Sequence, residues 1–201
     1  MKSLNIYLKS VIDNDDVHFE SLLDNEDTFY GANSDKKMVE SWIEDNYKID
    51  GKLSISDDLV VDCNNTVKIK NKSITSLTNG LFRWGKVGGM FDCYACKKLK
   101  SLEGAPKKTG KDFCCNYCNS LKTLEGSPES VGRNFVCSDC DDLKSLEGAP
   151  KEVGNNFHCQ ECNNLKTLKG APEKVGNKIF CVNSNNIKIT DSDRKKYKIM
   201  E

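Results

Sequence analysis

Cys93, Cys115, Cys137, Cys159 and Cys181 follow one another at intervals of 22 residues, and the sequence around them repeats at the same interval. One unit reads FCCNYCNSLKTLEGSPESVG, the next FVCSDCDDLKSLEGAPKEVG, and the next FHCQECNNLKTLKGAPEKVG. FDCYACKKLKSLEGAPKKTG precedes them and the degenerate IFCVNSNNIKIT follows. A unit this short cannot bury an apolar face alone and must stack on copies of itself, so a fixed period in the twenties predicts a solenoid.

Within a unit, Phe113 and Cys115 are two residues apart, the alternation of a strand. Cys118, Leu121 and Leu124 follow at intervals of three, which suits a chain turning around a core better than a helix face. Phe135, Cys137, Cys140, Leu143 and Leu146 repeat the set. Gly126, Pro128 and Gly132 punctuate the return path, where proline also excludes a long helix.

This pattern resembles leucine-rich repeats, whose core runs L-x-L-x-x-N/C-x-L, and most closely the short bacterial type with a proline-containing extended convex side. The resemblance implies strand positions for Phe113 and Cys115, the Asn/Cys position for Cys118, and core positions for Leu121 and Leu124. Two residues rather than one separate Cys118 from Leu121, so the turn departs from the family pattern. The wording FDCYACKKLKSLEGAPKKTG is also similar to repeat proteins of tailed bacteriophages. The expected fold is therefore a repeat solenoid of leucine-rich-repeat-like parallel β coils, with an extended, turn-rich convex side and a small helical N-terminal cap.

Residues 91–190 carry the regular repeats, and residues 51–90 read as irregular β coils entering the solenoid. There Leu53 and Ile55, Val61 and Cys63, and Val67 and Ile69 alternate as strands do. Cys63, Thr66 and Ile69 imitate Cys115, Cys118 and Leu121; Ile74 and Leu77 imitate Leu121 and Leu124; LFRW reads as an insertion. In residues 1–50 the period is helical: Leu4, Tyr7, Leu8, Val11 and Ile12 share one face, and Met38, Val39, Trp42, Ile43 and Tyr47 share another, with Ser34 as a candidate cap. A solenoid needs its end coils covered, so this segment is expected to be a cap, the rival being a docking or packaging appendage. Residues 191–201 form a C-terminal cap or tail.

Thirty basic and thirty acidic residues give a formal net charge of zero, so any charged function must be local. The start lacks a signal peptide's apolar core and no stretch approaches a membrane span, which leads to the expectation of a cytoplasmic protein with reduced thiols. Eleven cysteines cannot all pair within one chain. Cys93, Cys96, Cys115 and Cys118 satisfy C-x2-C-x18-C-x2-C, as do Cys137, Cys140, Cys159 and Cys162, and stacked coils would bring equivalent thiols to about 4.8 Å, so zinc is an alternative. The residues favour structural thiols and no cofactor. Each pair sits inside a complete apolar unit, and the second position becomes Thr66 or Ser184, which are poor zinc ligands. A redox dithiol is disfavoured if the strand leaves Cys115 and Cys118 roughly 8 to 10 Å apart.

No phosphate loop, dinucleotide fingerprint or nucleophile elbow appears, the EF-hand-like run at residue 13 lacks its glycine and glutamate, and a Cys114–His158 dyad would span two coils; no enzyme is expected. The outward positions vary from coil to coil, as a recognition surface requires. They are Asp92, Cys114, Val136, His158 and Phe180, then Tyr94 and Ala95, Asn116 and Tyr117, Ser138 and Asp139, Gln160 and Glu161, Val182 and Asn183. Aromatic and acidic groups without Lys or Arg on this concave face favour a protein partner over nucleic acid or membrane. Lys100, Lys122, Lys144, Lys166 and Lys188 form a separate column, expected to be neutralised by Glu103, Glu125 and Glu147. The expected function is a non-enzymatic interaction module, phage-encoded, binding a host or phage protein through the concave strand face and counteracting a host defence system; the alternatives are a zinc-binding structural or nucleic-acid-binding protein and a virion or head-associated structural component.

Overall fold

A computed structural model describes residues 32–201 apart from Asn185. The helical face of Leu4 to Ile12 and the acidic run with His18 lie outside the described residues. Helix α1 runs Ala32–Asn46, so Ser34 stands inside its first turn rather than before it. Val39 and Ile43, four residues apart, are buried, while Trp42 is half-buried against Tyr47 and Phe82 with ring centroids at 5.6 and 5.7 Å. Two expectations for this face fail. Met38 is exposed, and Tyr47 leaves the helix to open strand β1, Tyr47–Asp50.

The chain then forms strands β2 (Leu53–Ile55), β3 (Val60–Cys63), β4 (Thr66–Ile69) and β5 (Arg83–Val87). Ten two-residue strands follow. One set is β6 (Phe91–Asp92), β8 (Phe113–Cys114), β10 (Phe135–Val136), β12 (Phe157–His158) and β14 (Ile179–Phe180), closed by β15 (Ile199–Met200). The other set, between them, is β7 (Lys108–Thr109), β9 (Ser130–Val131), β11 (Glu152–Val153) and β13 (Lys174–Val175). Two sheets result, an eight-stranded one in the order β1-β4-β6-β8-β10-β12-β14-β15 and a seven-stranded one in the order β13-β11-β9-β7-β5-β3-β2. All ladders of the regular repeats are parallel and in register, Phe91 beside Phe113, Phe135, Phe157 and Ile179. The protein is a β-solenoid with a small helical cap.

The core is a set of columns along the axis. Phe91, Phe113, Phe135 and Phe157 are sealed from solvent and stack face over face at 5.3 to 5.5 Å, with planes within 7° of parallel. Both cysteines of each unit and both leucines lie beside them, as the repeat predicts. The return path is extended, as expected, and it also pairs into the second sheet, which puts Thr109, Val131 and Val153 against the core. At the end of that strand the backbones of neighbouring coils nearly touch: a Cβ on Gly154 would lie 2.2 Å from the Gly132 carbonyl oxygen, so only glycine fits.

The entry coils depart in register. Val67 pairs with Phe91, which sets Ile69 level with Cys93, and Cys63 pairs with Val87 in the second sheet, so the proposed match of Cys63, Thr66 and Ile69 to Cys115, Cys118 and Leu121 does not hold. LFRW is built into the fold rather than looped out, since Arg83 and Trp84 open β5 and Phe82 and Trp84 are buried. At the far end, α2 (Asp191–Lys196) starts in a capping box between Thr190 and Asp193, and its chain returns through β15 to cover β14.

Candidate recognition surface and the cysteine columns

Each Cys-x-x-Cys closes a tight turn. In the first regular coil the Cys96 amide donates to the Cys93 carbonyl at 3.3 Å, and in the last the Ser184 amide donates likewise to Cys181 at 3.3 Å. Such a turn brings its ends within about 7 Å, so the separation of 8 to 10 Å expected from an extended strand is corrected: the strand ends one residue earlier.

The third residue of every turn has a left-handed backbone. Ala95, Tyr117, Asp139, Glu161 and Asn183 have φ between 56° and 60°. Their amides donate to the next coil in a continuous row, Ala95 to Asn116 O (2.9 Å), Tyr117 to Ser138 O (3.1 Å), Asp139 to Gln160 O (2.9 Å) and Glu161 to Val182 O (3.1 Å). These residues therefore form an axial crest with steps of about 4.8 Å. Asn and Asp tolerate this conformation, whereas Tyr and Glu are strained in it by roughly 1–2 kcal/mol. The repeat's other left-handed position is always glycine, at Gly104, Gly126, Gly148 and Gly170.

Most of the outward positions face solvent at least in part. Tyr94, Tyr117 and Glu161 are exposed, and Asp92, Cys114, Val136, His158 and Phe180 are half-buried along the strands, as are Asn116, Asp139, Gln160 and Val182. Ser138 is a correction: it is buried, its hydroxyl accepting from the Gln160 amide at 3.3 Å. Tyr94 and Tyr117 meet edge to face at 5.4 Å, and the Lys72 ammonium lies 5.8 Å from the Tyr94 ring centre. At the other end His158 stacks on Phe180 at 4.7 Å, with its Nδ1 3.2 Å from Gln160 Oε1. Cys114 is two strands from His158, and its thiol, directed at Met90 Sδ at 3.9 Å, is pushed up to about 12 by burial and then by Asp92 and Asp112. Neither feature makes a nucleophile.

The other thiols are buried, and seven of the ten bond backbone. Cys118 donates to Cys93 O (3.2 Å), Cys140 to Cys115 O (3.3 Å) and Cys162 to Cys137 O (3.1 Å), each to the preceding coil. The Ser184 hydroxyl makes the same bond, to Cys159 O at 3.0 Å, so the position requires a small donor rather than a sulfur ligand. First-position thiols bond the following coil: Cys93 to Cys114 O (3.1 Å) and Cys137 to His158 O (3.3 Å). Burial pushes Cys93, Cys115, Cys137 and Cys159 well above the ordinary thiol value, and Cys96 and Cys162 to about 12. Among these thiols Cys118 alone is drawn down, by hydrogen bonding from Cys93. Among the described residues no group of three or more His, Cys, Asp or Glu side chains is placed to hold a metal ion.

The lysine column is exposed, and the four ion pairs among the described residues leave it out; Glu147 pairs with Lys169 instead, at 3.2 Å. Among the same residues no helix is long and apolar enough to cross a membrane. Sequence reasoning missed the asparagine ladder beside the first sheet. In it the Asn134 amide donates to Asp112 Oδ1 at 2.9 Å and the Asn156 amide to Asn134 Oδ1 at 3.2 Å; the signal was the recurrence of Asp or Asn one residue before Phe113, Phe135 and Phe157. The chain matches no family model, no curated protein and no solved structure.

Proposed function

We propose that the protein is a non-enzymatic recognition scaffold that binds a protein partner along the crest and the first sheet beside it. The observation that carries this reading is the crest itself. A repeat that uses glycine at its other left-handed position keeps Tyr117 and Glu161 here in spite of backbone strain, and strain maintained at a surface row is a pointer to use. An invariant core that holds a different side chain at each step is a scaffold whose outer row can change without cost to the fold. Tyr94, Tyr117 and the His158–Phe180 stack supply rigid aromatic anchors, and Asn116, Gln160 and Val182 fill the surface between them. The resemblance to leucine-rich repeats of tailed bacteriophages supports a host or phage protein in the cytoplasm as the partner.

Affinity capture of a specific partner tests this directly. Tyr117→Ala and Phe180→Ala are expected to reduce recovery at least about tenfold, as loss of interface anchors does, while Lys144→Ala on the separate lysine column leaves it unchanged. Equal recovery by all three variants would refute the assignment.

A further inference from the structure

The crest changes character along its length. Asp139 and Glu161 follow Tyr117 on it, and Asp141 lies just beyond the same turn. None of the four ion pairs among the described residues involves these three carboxylates. Neutral groups answer two of them: Asn119 Nδ2 donates to Asp141 Oδ2 at 2.6 Å and Asn163 Nδ2 to Asp141 Oδ1 at 3.4 Å, and the Tyr117 hydroxyl hydrogen-bonds Asp139. Burial, then Glu161, then Asp141 raise the Asp139 carboxyl, and Asp139 in turn raises the Tyr117 phenol. Beside this acidic stretch stand the exposed Tyr94 and Tyr117 rings, and the ammonium of Lys72 already lies by the first of them at 5.8 Å. The patch thus combines negative charge that no ion pair among the described residues neutralises with aromatic faces that accept a cation, a pairing that an ammonium or guanidinium group satisfies on both counts.

Resting on the recognition reading above, we propose that the segment of the partner that lies on the crest is an extended basic peptide, its Lys or Arg side chains set against Tyr94, Tyr117, Asp139 and Glu161. Crest residues recur at about 4.8 Å, and same-side residues of an extended peptide at about 6.8 Å, so neighbouring cations of such a segment reach both the carboxylates and the rings. The charge complementarity also rejects a phosphate backbone, which the same carboxylates repel.

Calorimetric titration with three short peptides tests the inference: one alternating glycine with arginine or lysine, one with glutamine in their place, and one with glutamate. The cationic peptide is expected to bind at least about tenfold more tightly than the glutamine peptide, and the preference is expected to vanish in Asp139→Asn/Glu161→Gln. Asn is at home in the left-handed region and Gln matches Glu in size and shape, so the variant keeps the turn, which an unchanged thermal transition verifies. Equal affinity for all three peptides, failure of all three to bind, or a cationic preference that survives the double variant would overturn the inference. Binding of the glutamine peptide that equals the cationic one yet is lost in Tyr117→Ala would remove the basic partner and leave the recognition surface standing; a specific partner whose capture ignores Tyr117→Ala removes the surface itself.

Discussion

The protein is expected to unfold cooperatively as the pH rises from about 9 towards 11, because its sealed thiols must then ionise. An unfolded chain releases its thiol protons near the ordinary cysteine value, about 8.5. In the fold, Cys93, Cys115, Cys137 and Cys159 are held well above that value by burial, as is Cys140, while Cys96 and Cys162 are held near 12. A raised folded value means that the stability is fully present below the unfolded value and is lost as the pH climbs towards the folded one. One pH unit above the ordinary value each sealed thiol has cost about 1.4 kcal/mol, and these seven together about 10 kcal/mol, comparable with the entire stability of a domain. Circular dichroism against pH, with reductant present, measures the transition. Zinc-bound thiolates would reverse the pattern, because they are ionised at neutral pH: such a protein would keep its stability in alkali and lose it in acid as metal is released.

The second large effect belongs to the phenylalanine column. Phe135 is fully enclosed between Phe113 and Phe157, with ring centroids 5.3 Å away on either side. Phe135→Ala leaves a cavity that the stacked backbones cannot close, and it breaks two aromatic contacts at once, so a loss of about 3–5 kcal/mol is expected. Because a coil touches only its neighbours, the loss should also uncouple the two ends, giving a broadened or split denaturation profile rather than a shifted one. Phe135→Leu restores most of the volume and should recover much of the stability, consistent with Ile179 continuing the column in the last coil. A loss below about 1 kcal/mol for Phe135→Ala, measured by urea denaturation, would contradict the enclosed stack.

The period and the inward columns were legible because a 22-residue repeat writes the same core residue five times over. The second sheet was not, since its strands in the regular repeats are two residues long and offer one inward side chain each, such as Val131 or Val153, among lysines, glutamates and glycines. Alternation cannot be read from one residue. The entry register was obscured by coincidence of type: Cys63, Thr66 and Ile69 copy a spacing whose members sit in different columns. The outward face was read correctly in the main, Ser138 excepted. The left-handed crest was invisible because Tyr117 and Glu161 are residue types that carry no signal for that conformation. The thiol bonds to Cys93, Cys115 and Cys137 carbonyls join residues 25 apart and appear only when coils are stacked.

The central claim is that crest side chains are kept for binding at the expense of stability. The direct measurement is to replace Glu161 by glycine and record both thermal unfolding and partner affinity. Glycine is free of the strain at φ 56°, so Glu161→Gly is expected to stabilise the fold by up to about 1 kcal/mol while weakening the partner complex several-fold. A variant that is destabilised, or that binds its partner as tightly as the parent, would contradict it.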